Sequence, residues 1–234
     1  MINLLFLQST DAAVDTANMA AQATQGVIEL KFWDLVLKGG WIMIPIFLLS
    51  IIAVYIFVER YYAIKRAAQI DDRFIDQIKD NIHNGRFDSA LALCRTNETP
   101  VARMIEKGVS RIGRPLNDVN TAIENVGNLE ISKLEKGLPT LASVSGGAPM
   151  LGFLGTVMGM IRAFYDMSNA GSNVDVSLLS SGIYQAMVTT VAGLIVGIVA
   201  YFAYNILVAR VEKVVFKMEA TTSEFMDLLH EPAK

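Results

Sequence analysis

Ser177, Ser180, Ser181, Gln185, Thr189 and Thr190 occupy the first half of a stretch that carries no charge. The stretch is the 34 residues 176–209, between Asp175 and Arg210. As a helix it would run about 51 Å, against roughly 30 Å of bilayer hydrocarbon. A lipid-facing anchor has no use for so many hydroxyls. Small and polar residues in such a helix pack on other helices or border a cavity. Gly182, Gly193 and Gly197 lie among them.

A second uncharged stretch, residues 137–161, carries Gly152, Gly155, Thr156 and Gly159 at i, i+3, i+4 and i+7. That spacing makes one small-residue face with a single hydroxyl on it. The third stretch repeats the pattern with Gly182, Ala186, Thr189, Gly193 and Gly197, and Thr190 lies beside that stripe. The glycines are read as sites of close helix packing. Thr156 and Thr190 have two readings from spacing alone: each hydroxyl bonds back to a carbonyl one turn earlier, or each lines a pore.

A third feature is an absence. Asp, Glu, Lys and His do not occur in any of the three uncharged stretches, residues 39–58, 137–161 and 176–209. A proton path through hydrocarbon needs an ionisable relay or a wet channel. If this chain handles protons, the titrating carboxylate must belong to a partner. A Gly-rich loop ending in Lys-Ser/Thr, a His-Glu-x-x-His run and a Ser-His-Asp set are all missing, so the chain is not expected to be an enzyme. Cys94 is the lone cysteine, and His83 and His230 have no neighbouring ligand set, so no metal or other cofactor is expected.

The elements that must position these residues follow from charge. The chain has 234 residues, 53% of them apolar and 18% charged, where soluble domains carry about 25% charged residues. The deficit is confined to the three stretches, each long enough to span a bilayer. A net charge of -3 with mixed polar regions makes nucleic acid a poor partner. Glu59, Arg60, Lys65 and Arg66 follow the first stretch, Lys133 and Lys136 precede the second, and Arg210, Lys213 and Lys217 follow the third. The opposite side carries Asp11, Asp15, Glu29, Asp34, Asp166 and Asp175 against Lys31 and Lys38, with Arg162 the one dissenter. The positive-inside rule then places the N-terminus outside and the C-terminus in the cytoplasm.

The expected organisation is all-α and multi-pass: a periplasmic segment over 1–38, spans over 39–58, 137–165 and 178–209, a cytoplasmic helical segment over 59–136, a periplasmic turn over 166–177, and a cytoplasmic helix and tail over 210–234. The opening Ile2–Leu7 run is too short for a signal core. An interfacial helix is expected from Val27 to Leu37, with Trp33 and Trp41 bracketing the membrane entry. Between the first two spans, apolar periodicity predicts helices over Asp71–Asn84, Arg86–Cys94, Pro100–Ile112 and Leu116–Lys136. The last of these is expected to run on into the second span, with a bend at Pro139 or Pro149. Val214, Met218, Phe225 and Leu228 predict a continuation of the third span on one face.

The hairpin also carries a resemblance. Gly152-Phe153-Leu154-Gly155-Thr156-Val157-Met158-Gly159-Met160, followed by Gly182-Ile183-Tyr184-Gln185-Ala186-Met187-Val188-Thr189-Thr190-Val191-Ala192-Gly193-Leu194, resembles the proton-channel signature of the MotA/TolQ/ExbB family. The ExbB branch, which works with TonB, is the most similar. Asn84–Cys94 and Thr99–Arg103 add to the likeness, which covers roughly residues 35 to 220. The resemblance implies a homopentamer in the inner membrane of a Gram-negative cell, whose pore encloses the single transmembrane helices of two ExbD-like subunits. It places the protonatable aspartate on that partner, makes Thr156 and Thr190 pore threonines, and implies a TonB-like protein further along. Where many family members have a glutamate, this chain has Gln185, which cannot exchange a proton but can hydrogen-bond near the partner's carboxylate. The alternatives are a TolQ-like or motility-type stator and a non-conducting membrane scaffold.

Overall fold

The structure is a computed structural model that describes residues 39–69, 72–169 and 176–230, apart from the side chains of Asp72 and residues 176–178. The expected interfacial helix over Val27–Leu37 and residues 170–175 of the expected 166–177 turn lie outside the described residues. From Trp41 onward the chain forms one compact unit. Seven helices are described: α1 (Met43–Ala67), α2 (Asp72–His83), α3 (Phe87–Thr96), α4 (Pro100–Val109), α5 (Leu116–Glu135), α6 (Leu138–Asn169) and α7 (Val176–His230). No strand occurs among the described residues. Three helical stretches are long and apolar enough to cross a membrane, one in α1, one in α6 and one in α7. The protein is therefore an all-α membrane protein with long helical extensions.

The 55 residues of α7 make a rod about 82 Å long at ~1.5 Å per residue, far more than a bilayer requires. Its inner half has the composition of a span, and its outer half is held by packing. Ala200, Leu207, Val211, Val214, Met218 and Phe225 are all buried, at intervals of seven, four, three, four and seven. These intervals keep one stripe facing the bundle. Leu228 is only half-buried, at the edge of that stripe.

The bundle beside it is built from α2–α5 and the end of α1. Ile64, Phe74, Ile78, Cys94, Val101, Ile105, Val119, Ile123 and Leu134 share one core with the α7 stripe. α4 starts where Thr99 caps it, accepting from the Ala102 N–H at 3.3 Å, with Pro100 in the first turn, where its missing N–H costs nothing. At Gly108 an added Cβ would lie 2.6 Å from the Phe225 ring, so α4 meets α7 at close quarters.

The expected continuity of α5 with the second span is corrected. The helix breaks at Gly137, whose φ of +84° only glycine adopts without strain, and Lys136 before it has ψ 128°. Pro139 then falls in the first turn of α6, where proline is tolerated. α6 runs unbroken through Pro149. It also continues beyond its apolar stretch to Asn169, and Arg162 pairs with Asp166 at 3.9 Å one turn on, so Arg162 lies on a helix end leaving the apolar region.

Candidate functional site

The α6–α7 hairpin is sealed by glycine on both sides. An added Cβ at Gly155 would lie 2.3 Å from Thr189 Oγ1, and one at Gly159 would lie 2.9 Å from the Ala186 Cβ. At Gly182 it would meet the Ala163 Cβ at 2.6 Å, and at Gly193 the Ala148 carbonyl oxygen at 2.5 Å. At Gly152 the nearest atom would be the Thr189 carbonyl oxygen at 3.0 Å. Each turn down α6 meets the matching turn up α7, an antiparallel register in which no larger side chain fits. Close backbone approach is how helices associate in lipid, where no hydrophobic drive brings them together. Gly197 takes the Pro149 ring, 2.4 Å from where its own Cβ would be.

The threonines divide into two kinds. Thr189 lies inside the seam, 1% exposed, and its hydroxyl donates to the Ala186 carbonyl at 2.8 Å. Thr156 and Thr190 are half-buried beside the seam. Thr156 Oγ1 donates to Phe153 O at 2.5 Å within its own helix, while Thr190 Oγ1 crosses the hairpin to donate to Gly152 O at 3.0 Å. Gly152 O is also the i−4 carbonyl for the Thr156 N–H in an α-helix. Thr190 therefore reaches α6 within one turn of Thr156, and the two lie along the same shoulder of the hairpin.

Gln185 is half-buried and lies elsewhere. Five residues before Thr190 is about 140° around the helix axis at roughly 100° per residue, which puts Gln185 on the opposite side of the seam. The structure thus brings Thr156 and Thr190 together and separates Gln185 from them. Ala148, Pro149 and Ala163 were not among the packing positions expected from sequence. An extended small-residue register (148, 152, 155, 159, 163) would have found the two alanines.

A second polar cluster escaped the sequence reading. Glu130 is buried, 4% exposed, and takes Lys133 Nζ at 2.6 Å and Arg103 Nε at 3.3 Å. Arg60 Nη1 donates to the Lys133 carbonyl at 3.1 Å, which ties the end of α1 to α5. The signal was present: Ile123, Gly127, Glu130 and Leu134 share a helical face, and a carboxylate on an otherwise apolar face needs partners. Arg210, the first charge after the third apolar stretch, sits 4.4 Å over the Tyr61 ring and joins α7 to α1. Burial pushes the Cys94 thiol up to about 12, and the Glu106 carboxylate adds to the effect. No group of His, Cys, Asp and Glu able to hold a metal occurs among the described residues.

A hairpin sealed by glycine, uncharged over residues 137–161 and 176–209 and continued into a helical bundle by α7, defines a multi-span membrane protein whose polar side chains in those stretches are hydroxyls and the amides of Gln185 and Asn205. The model of the MotA/TolQ/ExbB proton channel family matches residues 96–220, from the end of α3 through most of α7. The chain belongs to that family. Relatives include a biopolymer transport protein ExbB homolog of Methanothermobacter thermautotrophicus, 28% identical over 74% of this chain and 62% of its own length. The chain thus spans less than two thirds of that relative. A biopolymer transport protein ExbB-like 1 of Synechocystis is 28% identical over 76% of this chain and 71% of its own length. The Tol-Pal system protein TolQ of Haemophilus influenzae is 30% identical over 88% of this chain and 96% of its own length.

Proposed function

We propose that the chain is a subunit of a proton-motive-force-driven motor in a bacterial inner membrane, with its C-terminus in the cytoplasm. Five copies enclose the membrane helices of a small ExbD-like partner, and the motion of that partner passes to a TonB-like protein that energises outer-membrane transport. The observation that carries this reading is the hairpin: two threonines on one shoulder of a pair of spans whose apolar stretches hold no Asp, Glu, Lys or His. Such a wall can hydrate and hydrogen-bond a proton carrier but cannot be one, so the carrier is a carboxyl on an enclosed helix. Thr156 and Thr190 line the pore. Gln185, across the seam, satisfies a neighbouring helix. A buried carboxylate without a cation is costly, so gaining or losing a proton changes which part of the wall the partner helix favours.

Proton flux into vesicles holding the full chain with its co-purified partner tests the reading. Flux is expected to need both proteins and to fall at least tenfold in Thr156→Val and Thr190→Val. Undiminished flux in both variants, with the complex intact, removes the threonines from the path.

The Haemophilus TolQ match, which runs nearly end to end, favours a second reading as a subunit for envelope maintenance. Deleting the gene separates the two. The TonB-linked reading expects loss of receptor-dependent nutrient uptake with the envelope sound. The TolQ-like reading expects detergent sensitivity with uptake preserved.

A further inference from the structure

We infer that the shoulder threonines face the pore as hydrogen-bond acceptors only, so that the wall they form binds the protonated form of an enclosed carboxyl in preference to its carboxylate. The inference rests on the reading above, in which Thr156 and Thr190 line a pore around a partner's carboxyl.

A hydroxyl has one proton to give and two lone pairs to offer. In Thr156 the proton goes to Phe153 O at 2.5 Å, and in Thr190 it goes to Gly152 O at 3.0 Å. The direction is not in question, because a carbonyl oxygen has no proton to donate. Thr189, the remaining hydroxyl at this level, also gives its proton to a carbonyl and is shut inside the seam. Turning Thr190 outward would break the bond that joins α6 to α7 inside an apolar region, where an unmade bond is costly. What each shoulder hydroxyl has left is lone pairs, made better acceptors by the bond already donated.

Lone pairs accept from the O–H of a carboxylic acid or from water and repel a carboxylate. Among the described residues of this chain, no charge close to the two hydroxyls offsets that repulsion. On α6 the closest charges are Arg162 and Asp166, which pair with each other, Arg162 being about 9 Å along the axis from Thr156 at ~1.5 Å per residue. The apolar part of α7 has no charge before Arg210, which lies over Tyr61. α1 carries its charges only at and beyond the end of its apolar stretch: Glu59 and Arg60, which pair with each other, then Lys65 and Arg66 in its last turn, with Arg66 paired to Glu98. The wall therefore receives the partner's carboxyl neutral, and ionisation weakens its hold.

The sign of a shift decides the matter. The full chain with its native co-purified partner is placed in lipid vesicles, and the infrared band of protonated carboxyl is followed against pH. Thr156→Val is the cleaner variant, because its bond lies within one helix and its loss leaves the hairpin joined. In Thr156→Val and Thr190→Val the titration midpoint is expected to fall by about one pH unit, a tenfold change in the protonation equilibrium, while Thr156→Ser keeps the wild-type midpoint. A midpoint that rises in Thr156→Val shows that the hydroxyl had been donating to the carboxylate and overturns the inference, as does an unchanged one. If no membrane carboxyl titrates in the wild-type complex, the motor reading itself falls and takes this inference with it.

Discussion

Thr190 Oγ1 and the Gly152 carbonyl oxygen lie 3.0 Å apart across the α6–α7 seam, joined by a hydrogen bond whose donor is the threonine. Gly152 makes the contact possible: an added Cβ there would lie 3.1 Å from the Thr190 Cα. The glycine face and the hydroxyl shoulder are thus one construction, since the absence of a side chain at 152 lets α7 come close enough for Thr190 to use an α6 carbonyl.

The seam should not tolerate a methyl group at its tightest point. Gly155→Ala would place carbon 2.3 Å from Thr189 Oγ1, which has no room to retreat, and overpacking of this kind costs about 1–3 kcal/mol. Gly127→Ala on α5 would meet the end of the flexible Met104 side chain, its methyl at 3.0 Å and its sulfur at 3.6 Å, and gains helix propensity. Thermal unfolding in detergent is expected to show a clear loss for Gly155→Ala and a neutral or raised midpoint for Gly127→Ala.

Removing the buried carboxylate of Glu130 should loosen α5 from its neighbours. Arg103 and Lys133 are both part-exposed, so they return to water when their partner goes, and the loss is that of two charge-assisted bonds less this rehydration. Glu130→Gln is expected to cost about 1–2 kcal/mol. Arg103→Gln, which leaves Glu130 its Lys133 contact, should cost less in the same unfolding assay. The reverse order would mean that Arg103 holds the junction.

Cys94 should be inert in the folded protein. Its thiol is buried and raised from 9.0 to about 12, so a maleimide at pH 8 is expected to label it only after denaturation. The linkage has a definite sign. The unfolded chain ionises first, so this contribution to stability is whole below pH 9 and is lost as the pH climbs from 9 towards 12. Cys94→Ala should show a shallower alkaline loss than the wild type; parallel curves would contradict the raised thiol.

The proposed topology is open to a direct check in a Cys94→Ala background. A single cysteine at Asn169 is expected to react with a membrane-impermeant maleimide added outside, and one at the exposed Phe216 position only after the cells are opened. Outside labelling at 216 would invert the orientation.

The three apolar stretches, their lengths and the small-residue faces could be read from the chain, because charge exclusion and i, i+3, i+4 spacing are local properties that lipid and helix geometry convert directly into spans and contacts. Thr189 was legible as part of the packing stripe for the same reason. The break at Gly137 was not. Pro139 and Pro149 are the stronger breakers by type, yet one falls in a first turn and the other lies inside continuous helix with its ring against Gly197, while α5 ends where Gly137 takes a positive φ. The Glu130 cluster likewise needed α1, α4 and α5 brought together, which no periodicity within a single helix encodes. The direction in which Thr190 spends its proton belongs to the same class. From spacing alone, bonding back along its own helix and facing a pore were both open, and only the α6–α7 register, set by many close contacts at once, puts the Gly152 carbonyl where that hydroxyl can reach it.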